Sequence, residues 1–377
     1  MAKLVFVHGV ATRQGLGRDS AEATMRQLLA KTVFGNTPFE MLTPHWGDLV
    51  PSIRAEVFET GHAESYSVTG DNGEAEDFGP NGGGDVVGGT SVGAIAATRP
   101  ELAIDAVLAT VVERANAENR NLTDDEMIAF ARAVDAVRDA VSARTLVGAC
   151  VSDEELATAL EGDPESYGIS FTSVRDAVGR VADRISNVTS GLAYGLVAGS
   201  IRPAVGLYSG DVFAYLNDGE LRANIRALVL ADIEKAFAER SPGEPLILIG
   251  HSMGGVILVD MLGDPTAAGL PVDLHVDFLL TVGSQAGLFQ SVGALTGGAP
   301  GSGKIPPRPC VRRWHNVFDP IDPLAFAAEP VFEAVEDLEF DSITGVASAH
   351  TTYFKRPQFY ARLRERLSDM NLTPMTA

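Results

Sequence analysis

The run Leu246-Ile247-Leu248-Ile249-Gly250-His251-Ser252-Met253-Gly254-Gly255-Val256 constrains this chain more than any other stretch. Four apolar residues run uninterrupted into Gly250, the pattern of a strand buried on both faces. An apolar helical pattern then begins after Gly254 and continues to about Leu262. Strand and helix must be joined by a very sharp turn centred on Ser252. Small residues two positions to either side let a serine be held there on a strained backbone without clashes. In a chain with 39 glycines, Gly-x-Ser-x-Gly is weak as a bare pattern, and its strand and helix flanks give it weight. Ser252 would head a helix, where the dipole and free N–H groups favour an oxyanion. The plainer alternative is a Gly-rich turn with Ser252 as an N-cap.

A serine nucleophile needs a base, and a turn of this kind is followed in chain order by an acid and then a histidine. Of the seven histidines, His8, His45, His62 and His251 precede Ser252. His275 and His315 fall in or beside expected strands. His350 alone lies beyond the acidic segment, in Ala347-Ser348-Ala349-His350-Thr351, read as a loop between the last strand and the last helix. The acid should follow the strand Arg312–Phe318, where Asp319-Pro320-Ile321-Asp322-Pro323 offers Asp319 and Asp322. One of the two serves the turn, since Asp-Pro pairs favour turns. The Met253 N–H, next to the serine, supplies one oxyanion donor. The second is expected from Val10, after the apolar run Leu4–Val7, where Gly9 lets the backbone approach; His8 packs or bonds locally.

Leu4–Val7, Phe39–Trp46, Leu246–Ile249, Val276–Val282, Val311–Phe318 and Leu338–Ile343 read as strands. Helices are expected at Ser20–Val33, Met253–Leu262 and Tyr353–Arg366, with one or two over Asp211–Arg240. This alternation predicts an α/β fold with a mostly parallel sheet covered by helices on both faces. Between Pro51 and about Val205 the pattern changes. A Gly-, Asp- and Glu-rich loop at about 66–93 is followed by helices at Pro100–Asn116, Asp124–Ala143, Asp153–Leu160 and Ser173–Ile185. Two of these open with capping boxes, Thr123–Glu126 and Ser152–Glu155. The core is therefore 1–50 with 206–377, about 220 residues, and 51–205 is a mainly helical insertion, a cap expected to act as a lid or as one wall of the acyl pocket, with the Gly-rich stretch Gly79–Gly93 as its hinge.

Val5-Phe6-Val7-His8-Gly9-Val10, Gly250-His251-Ser252-Met253-Gly254-Gly255, and Asn316–Leu324 with His350 resemble the α/β-hydrolase superfamily. The resemblance is to lipase and esterase branches that begin at the oxyanion strand and lack the first strands of the larger fold. The tail is also loosely similar to bacterial hydrolases related to the inositol-deacylase group. In such relatives the acid precedes a small apolar stretch, which favours Asp322, followed by Pro323-Leu324-Ala325, over Asp319. The resemblance implies a serine hydrolase that cleaves a carboxylic ester through an acyl-enzyme on Ser252, with no metal and no organic cofactor. It leaves thioesterase, amidase or acyltransferase chemistry open, as well as a non-catalytic domain that binds a ligand or partner.

Composition narrows the partners. A net charge of −21 repels phosphate backbones and anionic bilayers, so nucleic acid is not expected; a small-molecule or lipid-like acyl substrate is what the resemblance implies. The apolar stretch Asn187–Tyr208 is interrupted by Arg202 and Pro203, too early for a spanning helix of about 20 residues. No stable membrane insertion is expected. With no signal-peptide pattern at the N-terminus, the expected location is cytoplasmic. A protein partner docking on the insertion is a further possibility that no motif specifies. Cys150 and Cys310 are expected to be free thiols.

Overall fold

The computed structural model describes residues 1–10, 12, 18–35, 37–51, 92–148, 150, 152–161, 172–187, 209–217, 219–296, 303–341 and 346–372. Six strands form one wholly parallel sheet: β1 (Ala2–Val7), β2 (Phe39–Leu42), β3 (Leu246–His251), β4 (Phe278–Val282), β5 (Trp314–Phe318) and β6 (Val335–Glu339). Their order across the sheet is β2-β1-β3-β4-β5-β6. The chain thus steps from β1 outward to β2, then returns to lay β3 on the other side of β1. At such a reversal the connections leave in opposite directions and open a crevice at the strands' C-terminal ends, the usual ligand position in an open parallel sheet. The segments after β1 and β3, His8-Gly9 and Ser252, flank that crevice.

Both faces of the sheet are covered, and the strands read accordingly. Leu4, Phe6, Ile247 and Ile249 enter one core, while Val5, Val7, Leu246 and Leu248 enter the other, the two-residue alternation of a pleated strand. The second core is closed by α9 (Glu220–Ala238), through Ile225, Val229 and Ile233, and by α10 (Met253–Gly263). The first core is closed by α1 (Arg18–Leu28), which continues as a π-turn over Leu29–Val33, and by the C-terminal helix α13 (Pro357–Asp369). Ser20, where the sequence places the start of this helix, lies inside its first turn and donates its hydroxyl to the Arg120 carbonyl at 3.1 Å.

Every described element between residues 92 and 187 is helical: α2 (Val92–Thr98), α3 (Pro100–Ala117), α4 (Asp124–Ala136), α5 (Ala140–Val147), α6 (Asp153–Glu161) and α7 (Thr172–Asn187). They are not set apart from the sheet. Ile104, Val107 and Val111 of α3, with Phe130 and Val134 of α4, belong to the same buried cluster as Leu4, Phe6 and Ile247. Each such side chain contributes about 1.5–3 kcal/mol on burial, so this region is bound into the core. A buried ion pair reinforces the junction: Arg356, just before α13, donates to Asp105 of α3 across 251 residues of chain, and the Gln358 N–H reaches the other Asp105 oxygen at 2.9 Å.

The expected single helix over Asp124–Ala143 is two. Asp139 interrupts it because its carboxylate accepts the Ser142 N–H at 2.8 Å and so caps a new helix. Both capping boxes form, with each side chain and backbone bond in place. Asp211–Arg240 resolves into two helices, α8 (209–216) and α9. Helix α2 begins inside the end of the expected Gly-rich loop, and Val92 is fully buried there. The rest of that loop, 66–91, lies outside the described residues, as does the apolar stretch from 188 to 208 and with it the boundary near 205. No described helix is long and apolar enough to cross a membrane. Both cysteines are free.

Candidate active site

Residue Ser252 joins β3 to α10 with φ 53° and ψ −124°, a conformation that a residue with a side chain adopts at a cost of about 1–3 kcal/mol. The surroundings hold it there. The Ser252 N–H donates to the Val282 carbonyl at the end of β4, at 2.9 Å, and the Ser252 carbonyl accepts from Gly255 at 3.0 Å. Close approach explains the glycines. A Cβ at Gly254 would run into the Val7 carbonyl, and one at Gly250 would stand 2.5 Å from the Gly255 Cα. The turn is therefore pressed against the end of β1 on one side and against its own helix on the other.

Three of the sequence candidates meet in one chain of hydrogen bonds. The Nδ1 of His350 lies 2.8 Å from Asp322 Oδ2, and its Nε2 lies 2.8 Å from Ser252 Oγ. A carboxylate only accepts, so Nδ1 carries the proton, Nε2 presents its lone pair, and the serine hydroxyl donates to it. His350 is not in a loop as expected but in the short helix α12 (Val346–Thr352). The small residues before it suit a loop, yet Ala is also the best helix former. His251 braces this histidine: its Nε2–H donates to the His350 carbonyl at 3.0 Å, and the two rings stand 5.1 Å apart. Burial, reinforced by the charge His350 would carry, pushes His251 down to about 3, so it stays neutral.

The two aspartates take different tasks. Asp322 is buried; burial alone would raise its pKa. The bond from His350, the charge that His350 would carry once protonated, the Leu324 N–H at 2.9 Å and the Tyr353 hydroxyl outweigh burial and hold it below the usual carboxylate range. Asp319 Oδ1 accepts the Ile321 N–H at 3.0 Å, closing the turn made by Pro320. Tyr353 is a partner that the sequence does not announce. It sits in the 3-10 turn Tyr353–Lys355 between α12 and α13, inside the span expected to be the final helix, and no local pattern marks it out.

The β1 end supplies the facing wall. A Cβ at Gly9 would lie 2.9 Å from the Ser252 Cβ, so only a residue without a side chain lets this backbone pass so close. Val10 follows in a turn, its carbonyl accepting from the Thr12 hydroxyl at 3.4 Å. Met253 opens α10, where the first N–H groups have no acceptor within the helix. His8 is not part of the hydrogen-bonded chain. Its ring stacks on Trp46 at 5.3 Å, its carbonyl accepts from the Trp46 indole at 2.8 Å, and its Nδ1 faces the Gly9 carbonyl at 2.8 Å.

Gly9 and His251 also border a cavity of about 360 Å³. Phe6, Met25, Phe354 and Val112 of α3 line it, with Glu22, His45 and Asn116 among its polar residues. The helical region thus contributes wall to this cavity. Among the described residues, no group of three or more His, Cys, Asp or Glu side chains is disposed to hold a metal ion. No family model matches the chain, and neither a curated protein nor a solved structure is similar to it.

Proposed function

We propose that this chain is a serine hydrolase of the α/β-hydrolase type that cleaves a carboxylic ester through an acyl-enzyme. The observation that carries the reading is the unbroken chain Ser252 Oγ, His350 Nε2, His350 Nδ1, Asp322 Oδ2, with both contacts at 2.8 Å and the serine on a strained turn. Strained backbone is retained where the surrounding structure holds it, and it clusters at active sites. The sheet is six-stranded and wholly parallel, and its order β2-β1-β3-β4-β5-β6 is not the usual one of the superfamily. Support for the fold assignment comes from the position of Ser252 at the reversal of strand order.

In this reading Ser252 Oγ attacks the ester carbonyl while His350 Nε2 takes its proton. Asp322 keeps the imidazole in the Nδ1–H tautomer and stabilises the imidazolium as it forms. The Met253 and Val10 N–H groups receive the oxyanion, a contribution worth about 2.7–4 kcal/mol per donor in serine proteases. His350 then protonates the departing alcohol, and a water molecule, activated by the same histidine, releases the acid. The wall built by Gly9, His251 and α3 shapes the space beside the nucleophile, which gives the helical region a part in substrate choice.

A fluorophosphonate probe and a panel of nitrophenyl esters of rising chain length, with thioesters and anilides alongside, test this reading. The probe is expected on Ser252 alone, and Ser252→Ala is expected to lose both labelling and turnover while remaining folded. Labelling at another serine, or wild-type turnover in the alanine variant, would overturn it. Preferential cleavage of thioesters or anilides would keep the nucleophile and change the bond.

A further inference from the structure

The end of β4 touches both the serine turn and the loop that carries the acid. The Val282 carbonyl accepts the Ser252 N–H at 2.9 Å, and the Gly283 N–H donates to the Val317 carbonyl of β5 at 2.8 Å. Gly283 has φ 58°, and a Cβ there would stand 2.9 Å from the Tyr353 ring and 3.4 Å from Asp322 Oδ2. The Ser284 carbonyl then accepts the Phe326 N–H at 3.0 Å. Gln285, just before α11 (Ala286–Ser291), is fully buried. Its Nε2 donates to the Gly283 carbonyl at 2.9 Å and to the Leu324 carbonyl. Leu324 is thereby fixed on both sides. Its N–H donates to Asp322 Oδ1 at 2.9 Å, its carbonyl accepts from Gln285, and the Ala325 N–H of that same peptide donates to the Asp322 carbonyl at 3.2 Å. The two carbonyls set the orientation of the Gln285 amide, because turned over it would point Oε1 at two acceptors. As it stands, Oε1 is buried with no partner among the described residues. A bare buried acceptor is costly and rare, so an amide at this position answers to its donor end.

We propose that Gln285 is a positioning residue: by pinning Leu324 to the strand end that also holds the Ser252 N–H, it aims the Asp322 carboxylate at His350. The proposal rests on the serine-hydrolase reading for the reaction it serves. The geometry it concerns, the bond between Asp322 Oδ2 and His350 Nδ1, is measurable without turnover. With the amide donors gone, the Leu324 peptide is no longer tied to β4. Oδ1 then loses the fixed N–H that sets the carboxylate plane, and Oδ2 turns away from Nδ1.

Gln285→Met keeps the length of the side chain and removes both donors. With the best nitrophenyl ester of the panel, kcat is expected to fall about 10²-fold, the cost of a misplacement of about 1 Å at a reacting centre. KM should stay within about twofold, because the lost interaction serves the transition state and Gln285 does not line the cavity. Proton magnetic resonance reads the geometry directly. The hydrogen-bonded Nδ1 proton of His350 is expected far downfield in the wild type, and lost to exchange or shifted upfield in Gln285→Met. A lowered melting temperature with kcat and this resonance unchanged would make Gln285 a packing residue and overturn the proposal. If Gln285→Met does not fold, Gln285→Glu, with one donor at most, is expected to show both losses in smaller measure. In the wild type itself the two Nε2 protons should exchange slowly with solvent, and free exchange would equally overturn it. If the wild type cleaves no ester the hydrolase reading falls, and the Nδ1 resonance in the variants still decides whether Gln285 sets the Asp322–His350 bond.

Discussion

Tyr353 donates its hydroxyl hydrogen to Oδ2 of Asp322, at 2.9 Å, the same oxygen that holds His350 Nδ1. The hydroxyl oxygen in turn accepts the Asp319 N–H at 3.0 Å. The tyrosine therefore ties the carboxylate that orients the histidine to the backbone of the turn that presents it. A phenol donating to this carboxylate draws charge from the oxygen facing His350 and fixes its direction.

Tyr353→Phe should accordingly lower kcat about tenfold while leaving KM within about twofold, because it removes one bond of about 1 kcal/mol at the acid and does not touch the cavity. It should also lower stability by about 1–3 kcal/mol, since the buried Asp319 N–H loses its acceptor. Steady-state kinetics and urea unfolding on one preparation check both. An unchanged kcat with a lowered melting temperature would make Tyr353 purely structural.

Asp322→Asn should stabilise the wrong imidazole tautomer and cost kcat about 10⁴-fold, as the same change does in the serine-protease template. Asp319→Asn should cost about 1 kcal/mol of stability, the size of a lost side-chain cap, with kcat nearly intact. The comparison is of kcat and melting temperature for the two variants side by side. A large kcat loss confined to Asp319 would reverse the roles.

The Asp105–Arg356 pair should behave as a buried ion pair does when halved. Burial outweighs the guanidinium and raises the Asp105 carboxyl above its usual range, while Arg356 is fully buried with Nη1 and Nη2 unpartnered among the described residues. Asp105→Ala is expected to cost about 3–5 kcal/mol, and Asp105→Leu combined with Arg356→Leu less than either single change. Denaturant unfolding of the three variants decides it.

Acid should destabilise the fold through His8. Its folded pKa of about 4 lies below its unfolded value of about 6.5, so between those limits the unfolded chain binds a proton that the folded one does not. Stability therefore falls as pH drops from about 6.5 to 4, by up to about 3 kcal/mol from this group. Asp322, held low, adds its own loss only as pH falls below about 4. The slope of unfolding free energy between pH 6 and 4.5 should be smaller in His8→Phe by nearly one proton.

The strands and the serine turn are legible in the sequence because they are local: uninterrupted apolar runs, then glycines where backbones touch. His350 emerges by elimination along the chain order, while the residues alone leave Asp319 and Asp322 open and only the family resemblance favours Asp322. Tyr353 and the bracing of His350 by His251 stay hidden because both act through contacts made only after β3, β5 and the C-terminal helices meet. The break at Asp139 shows the limit of periodicity: the apolar spacing of α4 runs on, but a carboxylate captures the backbone first. The region expected to be helical is helical in every described element between 92 and 187, while the core it joins is not legible. Its apolar positions are visible, but a sequence does not say whether such a face covers its own neighbours or a sheet.

Because Ile104, Val107, Phe130 and Val134 close the same core as Leu4, Phe6, Ile247 and Ile249, residues 92–187 are not portable. Exchanging them as a cassette with another protein would strip part of that shared core and set mismatched side chains against α1 and α13, which close the same core. A change in what the cavity admits would come instead from point changes at lining positions such as Met25, Val112 and Phe354, each small enough for the shared core to stay packed.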